Sequence, residues 1–97
     1  MHLLQFVTVT VAAVIAFAAP GARAADPEFC RDYARSAVEQ AHRAEHIRSC
    51  GYLLDSPRFS ADWRGHYEWC LNVHHHEADE QRERRHEALE RCEYRRE

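Results

Sequence analysis

Four cysteines, Cys30, Cys50, Cys70 and Cys92, stand twenty, twenty and twenty-two residues apart and constrain this chain more than any other feature. Apolar side chains alone give it little to fold on. From residue 25 onward only seven are Val, Ile or Leu: Val38, Ile47, Leu53, Leu54, Leu71, Val73 and Leu89. Eight aromatics between Phe29 and Tyr94 add to these. A domain of this size buries too little apolar surface to be secure without covalent staples. An even number of cysteines in a short exported chain reads as two disulfides, each contributing about 3–4 kcal/mol by restricting the unfolded chain.

The case for export lies upstream of the cysteines. Leu3 to Ala19 is apolar apart from Gln5, Thr8 and Thr10, and Pro20-Gly21 and Ala22-Arg23-Ala24 follow. An apolar stretch, a helix breaker and a small-x-small triplet, in that order, make a secretory signal peptide. Ala22 and Ala24 supply the small side chains that signal peptidase requires, so cleavage is expected before Ala25. The apolar run falls slightly short of the ~20 residues that span a bilayer, which favours a cleaved signal over a retained anchor. The chain thus divides into a signal peptide, residues 1–24, and a four-cysteine helical domain, residues 25–97, secreted or periplasmic.

Beyond the signal, twelve arginines face sixteen carboxylates, a net charge of −4, and lysine is absent. Nucleic acid and anionic membrane surfaces both reward positive charge. Neither is expected as a partner once the signal is removed.

Asp26-Pro27-Glu28 starts a helix: Asp caps, Pro takes the first helical position and Glu meets the positive end of the dipole. Cys30, Tyr33, Ala37, Ala41 and Ala44 then recur at spacings of three and four and share a face of mostly small residues. Gly51 after Cys50 suits a left-handed C-cap. Residues 51–62 form the connection, punctuated by Ser56-Pro57. A second helix is expected from about Trp63 to Arg95, apolar at Trp63, Tyr67, Cys70, Leu71 and Val73, strongly charged from Glu77, and apolar again at Ala88, Leu89 and Cys92. Its charged run mixes both signs and reads as a solvated face.

Helix geometry then sorts the three possible cysteine pairings. Cys30 and Cys50 would lie ~30 Å apart on one helix, and Cys70 and Cys92 ~33 Å apart on the other, whereas a disulfide needs Cα atoms within ~7 Å. Pairing Cys30 with Cys70 and Cys50 with Cys92 requires parallel helices, which a twelve-residue connection does not easily allow. That leaves Cys50–Cys70 near the turn and Cys30–Cys92 at the open end, in an all-α antiparallel helical hairpin pinned at both ends. Twenty residues rotate Cys50 roughly 200° from Cys30 on a straight helix, so the first helix is expected to end or loosen before Cys50.

Phe29-Cys30-Arg31-Asp32-Tyr33-Ala34, Ala37-Val38-Glu39-Gln40, Cys50-Gly51, Pro57-Arg58-Phe59, His66-Tyr67-Glu68-Trp69-Cys70-Leu71, and Leu89 with Cys92 together resemble a group of small secreted bacterial four-cysteine helical proteins of unassigned function. The resemblance covers most of the domain and implies no activity. Mitochondrial twin-cysteine hairpin proteins share the two-disulfide, two-helix idea, but their cysteines lie much closer in sequence, so that likeness is architectural only.

Seven histidines fall in the domain: His42, His46, His66, His74, His75, His76 and His86. With Cys50 opposite Cys70, facing residues have numbers that sum to about 120, which sets His46 against His74 and His42 near Glu77 and Asp79. Imidazoles at i and i+4 on a helix chelate a single ion. His42, His46 and His74, with Glu77 or Asp79 as a fourth ligand, are therefore the candidate site for zinc, copper or nickel. Ordinary surface histidines are the plainer reading, and no cofactor is the leading expectation. Trp63 and Tyr67 share the face of Cys70 and read as core. Trp69 lies off that face and, with Phe59, is the candidate contact surface.

No nucleophile motif or phosphate-cradling glycine loop is present, and a two-helix hairpin has no deep pocket to preorganise its carboxylates and histidines. The sequence therefore points away from an enzyme and towards a structural or protein-interaction module with an unidentified protein partner. A metal-binding protein and a small inhibitor or stress factor of the cell envelope are the alternatives. A bare hairpin leaves apolar surface uncovered, which makes a homodimeric four-helix bundle a further expectation.

Overall fold

The structure is a computed structural model that describes residues 24–95. The signal peptide expected over residues 1–24 lies outside the described residues except for Ala24. The described chain is all-helical and is held by two disulfides.

Helix α1 (Pro27–His46) starts as its sequence dictates. The Asp26 carboxylate accepts from the Phe29 amide at 2.8 Å, Pro27 opens the first turn and Glu28 stands in it. The face expected to pack does so: Cys30, Tyr33, Ala37, Ala41 and Ala44 are each no more than 1% exposed, as is Ala34. Alanines along that stripe let neighbouring helices approach the α1 backbone closely.

Helix α1 ends at His46, before Cys50, as the phase of the two cysteines requires. Ile47 turns extended, and a 3-10 helix, Arg48–Asp55, carries the chain back at once. Gly51 sits within that 3-10 helix with negative φ and is not a left-handed cap. A second 3-10 turn, Pro57–Phe59, is capped by the Ser56 hydroxyl, which accepts from the Arg58 amide at 3.1 Å.

The single helix expected from Trp63 to Arg95 is two helices, α2 (Trp63–Cys70) and α3 (His75–Tyr94). The break needs neither Gly nor Pro. The Asn72 side-chain amide donates to the Glu68 carbonyl at 2.9 Å and so closes the end of α2. The Glu77 carboxylate accepts from the His74 amide at 3.3 Å and so opens α3 from its third position, half of a capping box.

These breaks change the topology. The chain runs along α1, returns through the 3-10 segments and α2, and runs forward again as α3. Helix α2 is antiparallel to α1, with Tyr33 against His66 and Trp69. Helix α3 is parallel to α1: Phe29 stacks on His75 near their starts, and Arg43 pairs with Glu93 near their ends.

The disulfides follow from that path, and they correct the expected pairing. Cys30 bonds Cys70, with Cα atoms 5.6 Å apart, and Cys50 bonds Cys92, with Cα atoms 5.2 Å apart. The parallel arrangement set aside for want of a long enough connection is realised because α2 itself is the return path. Each disulfide anchors one small core. Ala25, Tyr33 and Ala78 surround Cys30–Cys70, and Ala44, Phe59 and Leu89 surround Cys50–Cys92.

Candidate functional site

The turn lies near Cys50 rather than near residue 60, so facing positions of α1 and α2 sum to about 100, as Cys30 and Cys70 do. This separates the residues that a sum of 120 brought together. His42 and His46 lie at the end of α1 beside the Cys50–Cys92 core, where the His46 Nδ1 bonds the His42 carbonyl at 2.8 Å. His74, Glu77 and Asp79 lie at the opposite end, where α3 begins. His74 caps α3, Glu77 takes its amide, and Asp79 pairs with Arg82. Among the described residues no three His, Cys, Asp or Glu side chains gather as metal ligands.

The aromatic assignments also shift. Phe59 is 3% exposed and belongs to the Cys50–Cys92 core, not to a contact surface. Trp69 is 39% exposed, as expected of it, with one side tilted against Tyr33 at 5.6 Å between ring centroids. Trp63, expected in the core, is 40% exposed and stacks on Tyr67 at 4.9 Å. Helix α2 is eight residues long, and its inward positions are taken by His66 and Cys70.

Between Trp69 and the 3-10 turns the surface opens into a cleft of about 820 Å³. Tyr33 of α1, Gln81 and Arg85 of α3, His66 and Trp69 of α2, and Arg58, Ser60 and Asp62 of the connecting segment line it.

Arg85 is the unusual member. It is 1% exposed and is the largest side chain buried so fully. Its Nε donates to Gln40 Oε1 at 2.6 Å, and its guanidinium lies 5.1 Å from the centre of the Tyr33 ring. Its Nη2 is buried and has no hydrogen-bond partner among the described residues. Nor does any carboxylate among them form an ion pair with it. Burial pulls the guanidinium below its ordinary pKa, Tyr33 opposes that fall, and the neighbouring charges of Arg58 and Arg82 add to it. Arginine nonetheless stays charged in proteins, so the cleft wall holds a buried cation crowded by cations. Leaving a charged donor unsatisfied in the interior is costly.

From its place in the mixed-charge run Arg85 is expected on a solvated face. The spacing of Ala78, Arg85, Leu89 and Cys92, all buried, was the available signal: steps of seven, four and three mark one stripe of a helix.

His66 faces the same cleft, 8% exposed, its Nε2 2.8 Å from the Ser60 carbonyl. A carbonyl only accepts, so Nε2 carries the proton. Burial lowers the His66 pKa below its ordinary value; the Ser60 bond opposes this, the Arg85 charge reinforces it and Asp62 opposes it weakly. The hydroxyls of the rim are occupied too, with Ser56 Oγ accepting from the Arg58 amide and Ser60 Oγ accepting from the Asp62 amide.

The fold and cleft define a small all-helical, two-disulfide protein. Comparison with family models, curated proteins and solved structures gives no match to this chain.

Proposed function

We propose that this is a small binding module of the periplasm or the extracellular space that engages a partner protein across α2 and the adjoining cleft. The observation that carries the reading is the pair of tryptophans on an eight-residue helix, Trp63 at 40% and Trp69 at 39% exposure, on a scaffold pinned by two disulfides. Tryptophan is among the residues most enriched at energetic centres of interfaces, and a rigid scaffold lowers the entropy lost on binding. Two disulfides suit an oxidising compartment, and among the described residues no helix is long and apolar enough to cross a membrane.

Binding rather than catalysis is the better account of the cleft. Its serine hydroxyls and His66 Nε2 are already engaged with backbone, and none forms a nucleophile–base pair. Among the described residues no group of three His, Cys, Asp or Glu converges as a metal site would need, and this weighs for binding of another kind.

The test is capture from the native compartment on immobilised, oxidised protein, run beside Trp69→Ala and Trp63→Ala. A specific partner retained by the natural chain and lost by Trp69→Ala supports the reading. Capture indifferent to both substitutions overturns it.

A further inference from the structure

Arg85 in the cleft wall forms no ion pair among the described residues, and Asp62, a carboxylate that lines the same cleft, is not its partner. Arg85 lines the cleft and is held by Gln40 through Nε, while its buried Nη2 has no acceptor among the described residues. Arg58, on the exposed 3-10 turn, also lines the cleft, and its charge and that of Arg82 both act on Arg85. Arg82 is paired with Asp79, whereas Arg85 and Arg58 form no ion pair among the described residues, and these two are the guanidinium groups that an added anion would meet.

The apolar part of the cleft narrows the kind of anion. Trp69 and Tyr33 supply aromatic surface beside the guanidinium. A dianionic phosphate is strongly hydrated and loses much on entering such a half-apolar place, whereas a carboxylate brings one charge, a planar pair of acceptors and an apolar substituent. Guanidinium and carboxylate match in geometry as well as in charge.

We infer that the cleft over Arg85 is a carboxylate-binding site, taking an organic acid whose oxygens meet Arg85 and Arg58 and whose apolar portion lies on Trp69 and Tyr33. This inference rests on the binding reading above and deepens it. The carboxylate belongs either to a free aryl or alkyl acid or to the C-terminus of a peptide, and one titration separates the two.

Oxidised protein is titrated with sodium phenylacetate, sodium acetate, inorganic phosphate, and a short peptide ending in Phe with its carboxylate free or amidated. Trp69 fluorescence and the Arg85 Nε–H resonance report occupancy. Saturable binding of phenylacetate is expected, tighter than acetate or phosphate. Arg85→Met is expected to weaken it by roughly tenfold or more, the loss that follows removal of a charged hydrogen-bond donor. Arg85→Met keeps an unbranched apolar stem as far as the Nε position, and near-ultraviolet circular dichroism reports whether it folds. Arg58→Ala, on the exposed rim, leaves the core untouched and is expected to weaken binding several-fold in a salt-dependent manner. A free-carboxylate peptide that binds better than phenylacetate, with loss on amidation, assigns the site to a peptide C-terminus. Phenylacetate binding at least as well as that peptide assigns it to a free acid. Phosphate binding as tightly as phenylacetate, or no saturable binding of any carboxylate, overturns the site. Where the titration assigns the site to a peptide C-terminus, partner capture that survives Arg85→Met but is lost in Trp69→Ala overturns that assignment while leaving the binding module standing.

Discussion

Gln40 Oε1 accepts the Arg85 Nε proton at 2.6 Å, and this bond joins two helices that run in the same direction. The same amide donates from Nε2 to the Arg82 carbonyl at 3.1 Å. One side chain of α1 therefore orients the buried cation and ties α3 to the alanine stripe, at the level between the two disulfide cores. Gln40→Leu keeps much of the volume but strands Arg85 Nε, and is expected to cost about 2 kcal/mol. Gln40→Leu with Arg85→Met removes the stranded donor and should recover more than half of that loss. Urea unfolding of the two single variants and the double variant closes the cycle. A coupling energy near zero would mean that the two residues do not depend on each other.

The disulfide connectivity can be read directly. Lysine is absent, so trypsin cuts only after arginine, and cuts after Arg31, Arg48, Arg58, Arg64, Arg82 and Arg91 place the four cysteines on four different peptides. Digestion without reductant is expected to give linked pairs containing Cys30 with Cys70 and Cys50 with Cys92. The sequence separations are 40 and 42 residues, so loop closure gives each bond about 4 kcal/mol. Replacing either pair by alanine should lower stability by that order. Linked peptides joining Cys50 to Cys70 would instead restore the two-helix hairpin.

The first half of this fold is legible in its sequence and the second half much less so, for reasons that lie in particular residues. Asp26, Pro27 and the spacing from Cys30 to Ala44 each encode a property of α1, and each appears in the structure. The break at residues 71–74 is encoded by Asn72 and Glu77, whose side chains reach back to backbone groups of Glu68 and His74. Glu is common within helices, and Asn72 is a weak stop signal on its own, without the Gly or Pro that usually accompanies one. Once that break is missed, the return path vanishes, the parallel pairing of cysteines looks unreachable, and the histidines fall into a false register. Arg85 was hidden differently: arginine at a buried position looks like one more charge in a charged run until its neighbours Ala78 and Leu89 are seen to be fully buried. Partners set the meaning of such residues, and those partners lie more than forty positions away.

Stability should fall on mild acidification, and His66 is the residue to test. Its folded pKa lies below the ordinary value of 6.5 because burial disfavours the charged ring. The unfolded chain then binds more protons than the folded one between those two values, so stability rises with pH across that window. The contribution of neutral His66 is whole above pH 6.5 and is lost as pH falls towards the lower folded value. Arg85, which reinforces the shift, and Asp62 and the Ser60 carbonyl, which oppose it, are the groups that act on the ring. The melting temperature is expected to drop from pH 7.5 to pH 5.5, and His66→Gln, whose amide can still reach the Ser60 carbonyl, should show a smaller drop. Identical pH profiles for the two proteins would remove His66 from the account.

Phe59 and Trp69 entered as a joint candidate surface, and their substitutions should now diverge. Phe59 is 3% exposed and packs with Leu89 and Cys50 near the second disulfide. Trimming it to alanine opens a cavity that the bonded cysteines hinder from closing, and a loss of about 3–4 kcal/mol is expected. Trp69 keeps more than a third of its surface in water and tilts against Tyr33 of the first core. Trp69→Ala gives up one aromatic contact and part of its buried area, for a loss of about 1–2 kcal/mol. Thermal and urea unfolding measure both, and partner capture is measured on the same samples. The binding reading requires the ranking to invert between the two assays: Phe59→Ala is the more damaging to stability, while Trp69→Ala abolishes capture from a protein that remains folded. If Trp69→Ala unfolds the chain as readily as Phe59→Ala does, then the tryptophan serves the core, and its exposure gives no sign of a partner.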